Sequence, residues 1–229
     1  MYSALTLDFY GTLVEEDTAV IARVVAEIAA ASRRGASAAE VSRSWSRRFA
    51  ALCAQAHGRR FRSQRALERE SLVELLAEYR AALDPDALSE RLFAHWRAPS
   101  PLPGAAEFLA RVGLPVCIVS NIDTEDLRAA IAHAGWSFSL VVSSESERAY
   151  KPRRELFEAA LRALGTEARE TLHVGDSLGS DLAGAAAAGM PFAWVNAGGR
   201  TLPEGARAAH VVRDVCALLG QAVPGRAPR

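Results

Sequence analysis

The chain has 229 residues, half of them apolar, enough to bury one sizeable core and carry an insertion. Lysine plus arginine equals aspartate plus glutamate at 27 each, so no overall field draws the chain to nucleic acid or to a membrane surface, and charge has to be read locally. The three cysteines, Cys53, Cys117 and Cys216, are far apart without a CxxC pair and are expected to be free thiols. No apolar run reaches the roughly 18 residues of a membrane span, and no basic region with an apolar signal core opens the sequence, so a soluble, cytoplasmic protein is expected.

Five short apolar runs predict strands: ALTLDF (4–9), VCIVSN (116–121), SLVVSS (139–144), TLHVGD (171–176) and PFAWVN (191–196). They are apolar throughout rather than alternating, the pattern of strands covered on both faces, which predicts a parallel sheet in a doubly wound, Rossmann-like α/β fold. From 17 to about 96 no strand pattern occurs. AVIARVVAEIAA, VSRSWSRRFAALCAQA and LERESLVELLAEYRAALD instead carry helical spacing. This predicts an all-helical cap at 14–97, inserted into a core of 1–13 and 98–229 whose first helix is PLPGAAEFLARV (101–112). The closing GQAVPGRAPR is expected to fray.

In open α/β sheets, ligands bind beyond the carboxyl ends of the strands. Asp8, Ser120, Lys151 and Asp176 all fall there. Asp8 ends a buried strand, where an unpaired carboxylate is costly, and aspartate is a known covalent nucleophile. In LDFYGTL, Gly11 and Thr12 would bring backbone amides and a hydroxyl to an anion. Ser120 and Asn121 are candidate phosphate donors, although a serine in this position also serves as a turn or N-cap residue. Lys151 precedes Pro152, which would open a helix; held beside Asp8, it would neutralise an incoming anion. GDSLGSD adds Asp176 and Asp181, and carboxylates facing Asp8 across a short loop suit Mg2+.

Asp8-Phe9-Tyr10-Gly11-Thr12, Ser120-Asn121, Lys151-Pro152 and the Gly175 to Asp181 loop resemble, in that order, the motifs of the haloacid dehalogenase (HAD) superfamily, over nearly the whole chain. The resemblance implies a hydrolase with Asp8 as nucleophile, anion binding by Ser120 and Lys151, and a type 1 helical cap. In the phosphatase branch it implies magnesium held by Asp8, the Tyr10 carbonyl and Asp176, with Asp181 completing the acidic set.

Tyr10 stands where phosphatases of the family usually carry a second aspartate as general acid, and a phenol of pKa ~10 replaces it badly. A halide leaves without a proton, so Tyr10 alone points to a metal-independent 2-haloacid dehalogenase. Against that, Trp45-Ser46 stands where dehalogenases resemble one another in a Trp-Arg pair, Phe157 replaces a tyrosine, and Gly175-Asp176 is intact. The balance favours Mg2+-dependent hydrolysis of a small phosphorylated metabolite through Asp8. The dehalogenase and a catalytically weak ligand- or partner-binding protein remain open alternatives. Ten arginines lie between 33 and 69. Most would form a solvated helix face, but Arg59 or Arg60, or His57 beside them, is expected to reach an anionic substrate when the cap closes.

Overall fold

The computed structural model describes residues 2–225. In chain order the elements are β1 (Ala4–Leu7), α1 (Thr18–Ala31), α2 (Ala38–Gln55), α3 (Gln64–Tyr79), α4 (Pro85–Arg97), α5 (Ala105–Arg111), β2 (Val116–Ser120), α6 (Thr124–His133), β3 (Leu140–Ser143), the single turn α7 (Ser144–Glu147), α8 (Arg154–Leu164), β4 (Thr171–Gly175), α9 (Ala183–Ala187), β5 (Phe192–Val195) and β6 (His210–Val212). The strands form one sheet in the order β3-β2-β1-β4-β5-β6, with every pairing parallel. This is the doubly wound α/β fold that the uninterrupted apolar runs predict. The sixth strand, His210–Val212, is three residues long with its central Val211 exposed, and offers no periodicity to read.

Parallel strands need helices on both faces to bury their side chains. On one face Leu5, Leu7 and Ile118 pack with Phe108 of α5 and Leu127 of α6. On the other, Cys117 and Val119 pack with Phe157 of α8 and Trp194 of β5. The first cluster continues without a break into the helices between β1 and α5, through Val24, Ile28, Trp45, Leu72, Leu92 and Trp96.

Local sequence sets those helices. The Ser37 side chain accepts from Glu40 N–H while the Glu40 carboxylate accepts from Ser37 N–H, a capping box that starts α2. Asp84 caps α4, with Pro85 at its first position. The start of α3 is fastened to the core: Asp123 accepts from the backbone N–H groups of Gln64 and Arg65 at 2.7 and 3.0 Å, and the Arg65 guanidinium pairs with both oxygens of Asp126 at 2.7 and 2.6 Å. Tyr150 adds a hydrogen bond from its hydroxyl to the Arg62 carbonyl at 2.8 Å.

Two local expectations are corrected. Pro152 does not open a helix: α8 begins at Arg154, with Arg153 as N-cap. The described part of the tail is docked rather than frayed: Val223 is buried, and Gly113 N–H donates to the Pro224 carbonyl at 3.1 Å. Residues 226–229 lie outside the described residues. Among those described, the cysteines are free, and no helix is long and apolar enough to cross a membrane.

Candidate active site

Because the sheet is parallel, β1, β2 and β4 end on one edge, and that edge carries the chemistry. Asp8 follows β1, Ser120 ends β2 and Asp176 follows β4. Lys151 arrives from the segment between α7 and α8 and is positioned by Asn121, whose Oδ1 accepts from Lys151 N–H at 2.6 Å while its Nδ2 donates to the Lys151 carbonyl at 3.2 Å.

The Lys151 ammonium donates to Asp8 Oδ1 at 2.5 Å and to Asp181 Oδ1 at 2.6 Å, with all three residues buried. Asp181 also accepts from Ser177 N–H at 3.0 Å and lies 3.2 Å from His173 Nε2. Thr6 on β1 contacts the other ring nitrogen of His173 at 2.9 Å. A side chain at Gly175 would place its Cβ 2.5 Å from the Asp181 carboxylate, so glycine is required for Asp181 to tuck under β4.

Asp176 is placed differently. Its carboxylate sits against Gly11, where a Cβ would come within 2.7 Å of Oδ1, and Gly11 has a φ of +82°. Only the backbone of Asp176 is tied down: its carbonyl accepts from Trp194 Nε1 at 2.9 Å and from the Arg200 guanidinium at 2.8 Å. No described residue donates a hydrogen bond or an ion pair to its carboxylate. Oxygens of Asp8, Asp176 and Asp181 lie within 4.8 Å of one another.

The electrostatics follow from this crowding. Burial pushes the Asp8 carboxyl up to about 7, with Lys151 opposing the rise and Asp181 adding to it. Burial, then the charges of Asp8 and Glu16, push Asp176 up to about 8. For Asp181 burial acts in the same direction, but Lys151 and His173 outweigh it and hold the group well below the usual carboxylate range. Burial lowers His173 below its ordinary value, against the opposing pull of Asp181. Burial likewise lowers Lys151, yet Asp181 and Asp8 more than restore its charge. Donor chemistry and charge therefore fit a divalent cation: the carboxylates of buried Asp8 and Asp181 and of half-buried Asp176, the last without a hydrogen-bond donor among the described residues, set against the single ammonium of Lys151.

The residues predicted from the motifs meet here with some changes of role. Ser120 lines the cavity, and its hydroxyl has no partner among the described residues. Asn121 also lines it, but spends its amide on Lys151. Thr12 does not line the cavity: it is buried and its hydroxyl donates to Asp8 Oδ2 at 3.3 Å, so it orients the Asp8 carboxylate rather than an incoming anion. Tyr10 lines the cavity with its hydroxyl committed to the Trp96 carbonyl at 2.6 Å.

Arg59 and Arg60 are not among the residues that line the cavity. They stand exposed on the short turn Gly58–Arg60 and do not reach the cavity, and neither does His57. Their neighbours are engaged elsewhere: Arg48 with Glu74 and Glu78, Arg62 with Glu70, Arg69 with Asp86. The helical insertion instead contributes Glu16, Asp17, Gln64 and Trp96, none of which a motif marks. Trp45 lies away from the cavity, donating to Ser71 Oγ at 2.9 Å.

A family model described as haloacid dehalogenase-like hydrolase matches residues 2–189. The chain belongs to that family. Its relatives divide between the two chemistries. It is 33% identical over 107 residues, 46% of each chain, to an (S)-2-haloacid dehalogenase of Pseudomonas sp. (strain YL). It is also 33% identical over 132 residues to the pyrimidine 5'-nucleotidase YjjG of Escherichia coli (strain K12), covering 55% of this chain and 59% of that one. The chain thus spans about half the length of the curated relatives it matches. Among solved structures, a dehalogenase superposes over 95% of both chains with a TM-score of 0.74 at 27% identity. Membership makes the protein a HAD-like hydrolase; the choice of bond cleaved rests on the site.

Proposed function

We propose that this HAD-like hydrolase is a magnesium-dependent phosphohydrolase of small phosphate monoesters, with Asp8 as covalent nucleophile. The observation that carries the reading is the Asp176 carboxylate: seated against Gly11 beside Asp8, raised by burial and by its neighbours' charge, and given no protein cation. A dehalogenase would need no metal and would gain nothing from this second uncompensated carboxylate.

Asp8, the Tyr10 carbonyl and Asp176 would hold the ion, with Asp181 behind them. When bound, it would neutralise the carboxylates and draw charge from the phosphoryl oxygens. Thr12 and Lys151 fix the Asp8 carboxylate, while Lys151 and Ser120 donate to the phosphoryl group. An oxygen of Asp8 attacks phosphorus, the ester oxygen departs with the electron pair of its bond to phosphorus and takes a proton from solvent, and water then cleaves the aspartyl-phosphate to inorganic phosphate and free Asp8. Tyr10 is a poor proton source: burial first, then the charges of Asp126, Asp17 and Asp8, raise its phenol above the ordinary value. Residues 14–97 act in this reading as a type 1 cap over a core of 1–13 and 98–229, and the protein works in the cytoplasm on a small metabolite, without nucleic acid or membrane.

Metal-independent dehalogenation of a 2-haloacid is the second reading, supported by Tyr10 and by the dehalogenase relatives. Its substrate's carboxylate and halide would have to share Ser120 and Lys151, because no arginine is among the described residues that line the cavity. One paired assay separates the two. Phosphate release from p-nitrophenyl phosphate that needs Mg2+ and stops in EDTA supports the first; chloride release from 2-chloropropionate in EDTA supports the second and overturns the first.

A further inference from the structure

We infer that Asp17 selects the leaving group, and that the preferred substrate is the phosphomonoester of a short amino alcohol whose ammonium group pairs with the Asp17 carboxylate. This rests on the phosphatase reading above and names its substrate class.

The cavity at the strand ends measures about 200 Å3, smaller than the roughly 300–1,000 Å3 of pockets for drug-sized ligands. A phosphoryl group against Asp8, Ser120 and Lys151 leaves space for only a few further heavy atoms. The rest of the lining available to those atoms includes Tyr10, Glu16, Asp17, Gln64, Trp96 and Ile122. Its chemistry is selective. Tyr10, Trp96 and Ile122 offer apolar surface to a short carbon chain, whereas Glu16, Asp17 and Gln64 are polar; the Glu16 carboxylate already accepts from the Thr18 hydroxyl at 3.3 Å, which leaves Asp17 and Gln64.

Asp17 is held for this purpose rather than for capping. It occupies the N-cap position of α1, yet its side chain makes no capping hydrogen bond. Its Oδ2 instead accepts from Trp96 Nε1 at 2.7 Å. Trp96 is buried, and its carbonyl is the acceptor of the Tyr10 hydroxyl, so Tyr10, Trp96 and Asp17 form one fixed unit across the wall. Among the described residues, Asp17 takes part in no ion pair and accepts from no other side chain. Gln64 is fixed independently, since its backbone N–H donates to Asp123 Oδ1 at 2.7 Å; its side-chain amide has no partner among the described residues.

Charge excludes the other classes. An anionic tail would face the Asp17 carboxylate and that of Glu16 beside it, with no arginine on the wall to answer it. Like charges brought together without a counterion cost binding and are a common device of specificity. A nucleoside would exceed the volume. A neutral polyol fits the space but leaves the carboxylate without a counter-charge, whereas an ammonium group supplies one together with donors for Asp17 and for the Gln64 carbonyl.

The test measures phosphate release by the purified chain with Mg2+ from O-phosphoethanolamine, glycerol 3-phosphate, phosphoglycolate and p-nitrophenyl phosphate. The expected result is a kcat/KM for O-phosphoethanolamine about tenfold or more above those of glycerol 3-phosphate and phosphoglycolate. Asp17→Asn should lower the ratio of O-phosphoethanolamine to p-nitrophenyl phosphate kcat/KM about tenfold, mainly through KM. Because Asp17 also anchors Trp96, the substrate ranking of the unaltered chain decides the matter if that variant does not fold. Magnesium-dependent turnover that favours glycerol 3-phosphate or phosphoglycolate, or a ratio that Asp17→Asn leaves in place, overturns the assignment of Asp17 alone. No magnesium-dependent turnover of any ester overturns the phosphatase reading, and this inference with it.

Discussion

The Tyr10 hydroxyl donates to the carbonyl oxygen of Trp96 at 2.6 Å, joining the turn after β1 to the last residues of α4. The Tyr10 side chain is therefore a strut between the core and the helical insertion. Its proton is spent on an amide oxygen, and its phenol is buried beside Asp17 and Asp126 charge.

Replacing Tyr10 by Asp separates the structural from the chemical part of this exchange. The variant loses one hydrogen bond, of order 1 kcal/mol, together with the ring's packing, so its melting temperature should fall by several degrees. It gains a carboxyl group where leaving-group protonation is needed, and such assistance is typically worth about a hundredfold or more. Turnover of ordinary alkyl phosphates should rise relative to p-nitrophenyl phosphate, whose leaving group needs less help. An unchanged or lower rate in a folded variant that binds Mg2+ would overturn this account of position 10.

Glu68 gives a prediction about stability that does not involve the metal. It is buried in α3, and burial, reinforced by the charge of Asp17, pushes its carboxyl up to about 8. A carboxyl raised on folding binds its proton more tightly in the native state than in the unfolded chain. Its stabilising contribution is complete below the ordinary value of 4.5 and is lost as pH rises through about 8. Glu68→Gln keeps the shape and removes the titration. The variant and parent should melt together near pH 4.5, and the variant should be the more stable by a few kcal/mol near pH 8.5, read as a widening gap in melting temperature. A gap that stays constant with pH would mean that Glu68 is not titrating in the folded chain.

Much of this was legible in the sequence because it depends on short-range patterns. Four apolar runs ending in Asp8, Ser120, Ser143 and Asp176 fix the edge of a parallel sheet, and residues just past strand ends converge whatever lies between them. The residues that shape the cavity's outer wall were not legible. Asp17 reads as a helix-start acid and Gln64 as an ordinary first-turn residue; their place is set by how α1, α3 and α4 pack, through pairs such as Asp123 with the start of α3. The arginines misled for the same reason. Their helical spacing is visible, but the acids that neutralise them come from other helices, as with Arg48 and Glu78 or Arg65 and Asp126. His173 gave a weak signal, a single polar residue inside a buried strand, and its role appears only once Asp181 and Thr6 are placed on either side of it.

Asp176→Asn tests the metal site with a readout that needs no turnover. In the metal-free chain burial, and then the charges of Asp8 and Glu16 with no compensating donor, raise the Asp176 carboxyl to about 8 and make ionising it costly, so replacing it by a neutral amide should leave the melting temperature unchanged or higher. The parent should gain stability with added Mg2+, by about 2.7 kcal/mol at a hundred times the dissociation constant, and lose that gain in EDTA. In Asp176→Asn the Mg2+-dependent shift should vanish along with phosphate release, because a neutral amide supplies neither the charge nor the basicity that an oxygen-seeking divalent ion requires. A shift that persists in full would place the ion elsewhere, and a parent that shows none would remove the strongest argument separating this chain from its dehalogenase relatives.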